Sequence, residues 1–435
     1  MHHNAGESFT VPFGRGQWSF RFPDGITASL VETRQSPPLP DPAEAAMEAV
    51  LSPVTGPSLR ELAAGVTSVC IAVTDATRAC PDHLLVPPML QELAAAGVPD
   101  DAITSLGAVG AHRASTDAEK REKLGDAIVD RYRVIDHDGA NDADLVAVMD
   151  GPGGLPFRVN RHAVEADLLL STGLVEPHQY AGFSGGGKTV AIGCADEATI
   201  SYTHGPAMLD QPGTRLARLA DNPFQQAVRM VAREAGLVFA GNAVLDDHGQ
   251  IVAIAYGPPE AVQDHLAEFA RPLFTVPIPS QVDFAVAGVG YPKDANLYQA
   301  SRAASYLQFA PTPVVRKGGV IIIPAECPEG AGDGAGERRF LAEMQLPGGT
   351  DGVIERARRT GIKPGAQRAY VMALVLSDVA VIVAGINDPE IARAVGCIPA
   401  SSMDEAMDRA CAMVGSPASA LVVPHALLTL PIVQG

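Results

Sequence analysis

Three short apolar runs, each closing on a polar loop, constrain this chain more than any other feature. Residues 68–73, 103–109 and 166–172 read as buried strands, and a helical pattern over 84–96 separates the first two. That alternation marks βαβ units, whose strands run parallel under a cover of helices. Ligands of such sheets collect beyond the carboxyl ends of the strands. Asp75 and Arg78 follow the first of those ends, His112 follows the second, and His178 lies in the loop after the third.

The theme repeats beyond residue 281, with strands expected at 282–288, 319–324, 375–384 and 420–425. Ahead of the first run, residues around Trp18 alternate like an edge strand, a proline-rich entry follows, and 41–51 is helix-like. A chain of 435 residues is long enough for two or three domains with full cores. The expected fold is α/β, with two domains of mostly parallel sheet and an interdomain active-site cleft. Residues 1–260 form the N-terminal cofactor-binding and catalytic domain in this reading. Residues 261–281, rich in proline, are the hinge, and 282–435 form the C-terminal α/β domain, whose last segment is free to pack back on the N-terminal one.

Charge and cysteine usage narrow the function classes. A formal net charge of −18 argues against a nucleic-acid partner, which needs clustered lysine and arginine, but not against a small anion in a cleft. The six cysteines are scattered without a C-x-x-C pair, as suits reduced thiols rather than disulfides or a structural zinc site. No uninterrupted apolar stretch reaches membrane-spanning length, and residues 1–7 lack the pattern of a secretory leader. The expectation is a cytoplasmic protein without membrane partners.

The densest chemistry lies in 176–189. There His178, the glycines Gly185, Gly186 and Gly187, and Lys188 follow one another, with His204 sixteen residues beyond the lysine. Gly182 to Thr189 also satisfies the phosphate-loop pattern G-x-x-x-x-G-K-[ST]. A working phosphate loop needs a strand running straight into its glycines and a helix opening at its lysine. Here the strand-like run ends about ten residues early, Pro177 intervenes, and Gly193 weakens the helix. A nucleotide hydrolase is therefore the alternative rather than the main reading. Taken singly, Asp75 and Arg78 also suit a surface ion pair, and His204 suits a helix cap.

Taken in order, these motifs resemble the nickel-dependent lactate racemase family and its wider group of 2-hydroxyacid racemases and epimerases. The likeness rests on Asp75-Ala76-Thr77-Arg78, on Gly110-Ala111-His112-Arg113, and on the loop from Glu176 through Lys188 to His204. Tyr291-Pro292-Lys293-Asp294, Tyr298-Gln299, Gly396-Cys397-Ile398-Pro399-Ala400 and Val423-Pro424-His425 continue it. The resemblance implies an isomerase that inverts a 2-hydroxy acid by reversible hydride transfer through a 2-oxo acid. It implies a cofactor, pyridinium-3,5-bisthiocarboxylic acid mononucleotide, holding nickel as a pincer and linked covalently through Lys188. His204 is the implied nickel ligand, and His112 and His178 are the implied acid–base pair. Arg78, Lys293, Tyr298, Gln299 and Arg302 are expected to hold substrate, and Asp75 with the three glycines to support the cofactor. Cofactor-making enzymes are the implied transient partners.

The residues suit those roles. Histidine exchanges protons near neutral pH, nickel accepts imidazole and sulfur, and arginine clamps a carboxylate with two hydrogen bonds. A desolvated lysine is a nucleophile. Three positions depart from the family pattern: Arg302 stands where a lysine is usual, Gly187 where a bulkier residue is usual, and Gly139 where an aromatic one is usual. They point toward a 2-hydroxy acid other than lactate. A non-catalytic cofactor or nickel carrier would bind these groups without racemising anything. A nicotinamide dehydrogenase lacks its G-x-G-x-x-G turn here.

Overall fold

The structure is a computed structural model describing residues 2, 3 and 8–434, so most of the segment read for a leader lies outside the described residues. It divides into two compact units, both α/β. Among the described residues no helix is long and apolar enough to cross a membrane.

One unit comprises Gln35–Thr203 and Arg218–Leu273. Its six-stranded sheet has the order Ile251–Gly257, Leu237–Leu245, Leu168–Leu174, Val69–Thr74, Ile103–Ala108, Arg133–Asp136. All neighbours are parallel except the first pair. The three runs that opened the sequence reading are thus adjacent central strands. Val69, Ile71 and Val73 pack one face against Leu85, Met89 and Leu93 of helix Asp82–Ala95, together with Phe239 and Tyr256. Burying each such side chain contributes about 1.5–3 kcal/mol, which makes the strand ends firm supports for the loops they carry.

The other unit holds the N-terminal segment through Arg34, His204–Ala217, and the chain from Phe274 onward. Its seven-stranded sheet centres on Ala418–Val423, Val282–Ala287, Val315–Pro324 and Ala380–Ala384, all parallel. Phe9, Phe20, Phe22 and Phe284 form its aromatic core with Met403 and Met407.

Two expectations change, and two stretches gain detail. Residues up to Arg34 belong with the C-terminal sheet, because Ile26–Leu30 pairs parallel with Ala418–Val423, Ala28 against Ala420. The last segment, whose packing the sequence left open to either domain, has Ala418–Val423 as a central strand of the C-terminal sheet, beside Val282–Ala287 on its other edge. The proline-flanked, helix-like stretch expected as a hinge is mostly helix Pro259–Phe274, and the boundary between the units, after Leu273, falls within it. Its prolines bracket rather than break it, Pro259 in the first turn and Pro272 in the last, while Val262, Leu266, Ala270 and Phe274 are buried at helical spacing. Finally, 375–384 is not one strand. Val375 closes helix Gln367–Asp378, and only Ala380–Ala384 is extended. An apolar run buried on all sides has no period that distinguishes the two.

Candidate active site

Asp75 leaves the end of strand Val69–Thr74 and organises its own loop. One carboxylate oxygen accepts from the Thr77 amide at 2.8 Å and from the Thr77 hydroxyl. The other faces Arg78 Nε at 3.4 Å and His112 Nδ1 at 3.6 Å, an electrostatic contact rather than a tight hydrogen bond. Burial opposes ionisation of Asp75, but His112, Arg78 and Thr77 outweigh it and hold the carboxyl far below the usual carboxylate range. Asp75 is buried, whereas Arg78 and His112 are half exposed, so the anion is fixed and its two partners face solvent.

His112 comes from the loop after Ile103–Ala108. The Gly110 amide donates to the Gly193 carbonyl at 2.8 Å, tying that loop to the residues just past Lys188. A Cβ at Gly193 would lie 2.5 Å from the Thr189 carbonyl oxygen and 2.6 Å from Ala108 Cβ, so only glycine permits this approach.

His178 pairs with Gly182 in a two-residue hairpin of Pro177–His178 against Gly182–Phe183. Its Nδ1 accepts from the Tyr180 and Ala181 amides at 3.3 and 3.2 Å, and its ring stacks on Phe224 at 6.1 Å. Ser184 Oγ donates to the Leu174 carbonyl at 2.6 Å and accepts from the Glu176 amide at 3.1 Å, closing the loop onto its strand.

The glycines then turn the chain into Lys188–Ala191, a helix of four residues. Gly185 has φ +84°, and a Cβ there would meet Val175 Cγ2 at 2.5 Å. The Gly186 amide donates to Asn242 Oδ1 at 2.7 Å, and Gln263 Nε2 donates to the Phe183 and Ser184 carbonyls at 3.3 and 3.2 Å. The loop is therefore braced by protein, with only the two-residue strand Gly182–Phe183 ahead of the glycines and only a four-residue helix after them, unlike a phosphate loop. Lys188 retains some solvent contact along its side chain, yet burial, reinforced by the Arg78 charge, pushes its amine down to about 8 against the opposing pull of Glu176 and Asp75. Asp75, Arg78 and Lys188 thus share one electrostatic neighbourhood.

The remaining candidates belong to the other unit. His204 sits in the turn after helix Glu197–Thr203, half-buried. Lys293, Tyr298, Gln299 and Arg302 follow the carboxyl end of strand Val282–Ala287, all half-buried. Asn296 caps helix Leu297–Ala300 by accepting from the Gln299 amide at 3.0 Å, and Arg302 donates to Tyr306 Oη at 2.9 Å and to Gln299 Oε1 at 3.4 Å. Asp294, beside Lys293, is buried and accepts from the Gly14 amide at 2.5 Å.

Sequence reading did not single out Thr77, Asn242 or Gln263. Asn242 alone left a signal, as a lone amide in the apolar strand Leu237–Leu245. Among the described residues no three of His, Cys, Asp or Glu converge as a metal site. A nickel ion here would draw most of its donors from a bound organic group, and an amine lowered to about 8 is chemically suited to carry that group.

Residues 13–217 match the lactate racemase N-terminal domain and residues 278–430 the lactate racemase C-terminal domain. Lactate racemase of Lactiplantibacillus plantarum is 34% identical over 379 residues, which is 86% of this chain and 88% of that protein. Lactate racemase of Thermoanaerobacterium thermosaccharolyticum is 29% identical over 417 residues, 95% of this chain and 96% of its own. The lactate racemase apoprotein structure from the latter organism superposes with a TM-score of 0.87 at 27% identity, covering 99% of this chain and all (100%) of that one. A Thermotoga maritima protein shares the fold at a TM-score of 0.67 and 20% identity, covering 92% of this chain and 100% of its own.

Proposed function

The chain belongs to the lactate racemase family of isomerases, and on that premise we propose that it interconverts the enantiomers of a short 2-hydroxy acid with a nickel-bearing pyridinium mononucleotide attached to Lys188. The observation that carries this reading is the convergence of Asp75, Arg78, His112 and Lys188 from adjacent strand ends of one sheet. Both curated relatives are named lactate racemase, so lactate is the reference substrate despite Arg302, Gly187 and Gly139.

The bound group supplies a hydride acceptor for the substrate α-carbon. The protein manages the rest. Arg78 clamps the substrate carboxylate, with Lys293, Tyr298, Gln299 and Arg302 as the further substrate contacts. His112, with Nδ1 toward Asp75, presents Nε2 to take the hydroxyl proton, and His178 serves the opposite face. His204 is the protein's ligand to nickel, and Asp75 and the loop at Gly185, Gly186 and Gly187 support the tethered group. Loading requires passing contact with the enzymes that make the cofactor.

The test is protein co-produced with those enzymes, with mass spectrometry of the Lys188 peptide, nickel analysis, and a chiral assay starting from L-lactate and then other 2-hydroxy acids. An adduct on Lys188, bound nickel, and racemisation lost in both His112→Ala and His178→Ala is the expected result. Racemisation at the parent rate in both variants overturns the assignment of the pair. An adduct with nickel but no racemisation of any 2-hydroxy acid makes the protein a carrier.

A further inference from the structure

We propose that Asp82, fully buried, and its partly buried ion-pair partner Lys123, both outside the site, are positioning residues that set the Asp75–Arg78 loop and the Lys188 turn in one fixed relation. The inference rests on Arg78 holding substrate and Lys188 carrying the cofactor. Asp82 is fully buried at the start of helix Asp82–Ala95, directly after the loop that carries Asp75 and Arg78. Its Oδ2 accepts from Thr74 Oγ1 at 2.6 Å and pairs with Lys123 Nζ at 2.9 Å. Its Oδ1 accepts from Thr172 Oγ1 and, at 3.6 Å, from Cys80 Sγ. One carboxylate therefore joins the ends of strands Val69–Thr74 and Leu168–Leu174. Thr172 carries the link onward, because its carbonyl accepts from Thr189 Oγ1 at 2.7 Å, one residue from Lys188.

Lys123 completes the clamp. Besides Asp82, its ammonium donates to the backbone carbonyls of Arg78 and Cys80, each at 2.8 Å. All three ammonium hydrogens are thus used, and one of them fixes the main chain of Arg78 itself. The lysine arrives from helix Asp117–Leu124, held by a capping box between Thr116 and Glu119, so its own position is set. Stability alone does not account for this choice. A well-packed apolar pair of similar volume commonly does as well as a buried ion pair, but it would take from the Arg78 carbonyl its lysine donor and leave the Cys80 carbonyl only the Asp82 amide. A planar guanidinium does not reproduce three diverging donors either, so arginine is a poor substitute at 123.

The test uses the loaded enzyme, after racemisation by the parent preparation has been measured, so that an inactive parent counts against the proposed function and not against the clamp. Lys123→Met, Lys123→Arg and Thr172→Val are assayed for folding, kcat and KM. In parallel, the pH dependence of amine labelling at Lys188 is followed by peptide mass spectrometry on unloaded protein. The expected outcome is folded protein with KM raised about tenfold and kcat changed less than about twofold, because Arg78 is displaced while the reacting groups remain. The labelling midpoint at Lys188 moves upward as Arg78 leaves its neighbourhood, while Glu176 and Asp75 continue to act on it. A loss confined to thermal stability or to kcat, with KM and the labelling midpoint unchanged, overturns the proposal. If Lys123→Met does not fold, Lys123→Arg and Thr172→Val decide it by the same two readouts.

Discussion

At the residue scale the site works by opposing charges of unequal exposure. Asp75 is a buried, firmly ionised anion, while Lys188 is a cation whose charged form is disfavoured, with its amine at about 8. The sign follows from linkage: a lysine pushed below its ordinary value penalises the folded state wherever it is protonated there. That penalty is full below about 8 and vanishes as pH rises to the ordinary value of 10.5. Lys188→Met is therefore expected to be more stable than the unloaded parent at pH 7, the gap closing near pH 10.5. Denaturant midpoints at the two pH values check this. Amine labelling of Lys188 should turn on with a midpoint near 8, well before surface lysines react. The two histidines differ as well. Nδ1 of His178 accepts backbone hydrogen bonds, which places the proton of its neutral form on Nε2, whereas Nδ1 of His112 faces a carboxylate. Asp75→Asn removes the charge that orients His112, and kcat/KM should fall about a hundredfold. Because enantiomers have equal free energy, that fall must be the same in both directions, which polarimetry from each enantiomer verifies.

At the element scale, close packing rather than regular structure places the Lys188 turn. Gly193 lets that turn lie against the end of strand Ile103–Ala108, and a methyl group there would sit 2.6 Å from Ala108 Cβ. Gly193→Ala is expected to cost about 1–3 kcal/mol as an overpacked contact and to lower the yield of Lys188 adduct. A thermal melt and the modified-peptide fraction test the two effects separately. The same scale explains what the sequence disclosed. Strands 69–74, 103–108 and 168–174 were legible because both their faces are buried, and the polar residues after them were legible because parallel sheets bind ligands at that edge. Helix Gln367–Asp378 was not, since Val371, Met372, Ala373 and Val375 are buried without a face that stays polar. Asp82 and Lys123 were equally silent. Their partners are distant in sequence, and nothing local distinguishes a buried, paired charge from a surface one.

For the whole molecule, the chain's order is a poor guide to which residues pack into one unit. His204–Ala217 interrupts one unit in sequence but belongs by its contacts to the other. Within that unit the segment is anchored at Asp210, which accepts from Tyr370 Oη at 2.5 Å and pairs with Arg358 at 2.9 Å, and at Leu216, whose amide donates to the Phe309 carbonyl at 3.0 Å. Burial and Asp210 together raise the Tyr370 hydroxyl above its ordinary range, which keeps it a donor to that carboxylate at any working pH. The proposed nickel ligand, His204, is thus fastened through helices Gly349–Thr360 and Gln367–Asp378, whereas Lys188 is fastened through the Leu168–Leu174 strand and its loop. The two proposed attachments, Lys188 and His204, are then separable by mutation. Asp210→Asn weakens the anchorage of the His204 segment without touching any group near Lys188. Nickel retention through a chelator wash should fall about tenfold, the scale of losing a group that orients a ligand, while the Lys188 adduct forms as in the parent. Equal loss of nickel and adduct would instead mean that tethering itself depends on the His204 segment, and unchanged nickel would remove His204 from the ligand set or Asp210 from its support. His204→Ala, measured beside it, tells those two apart.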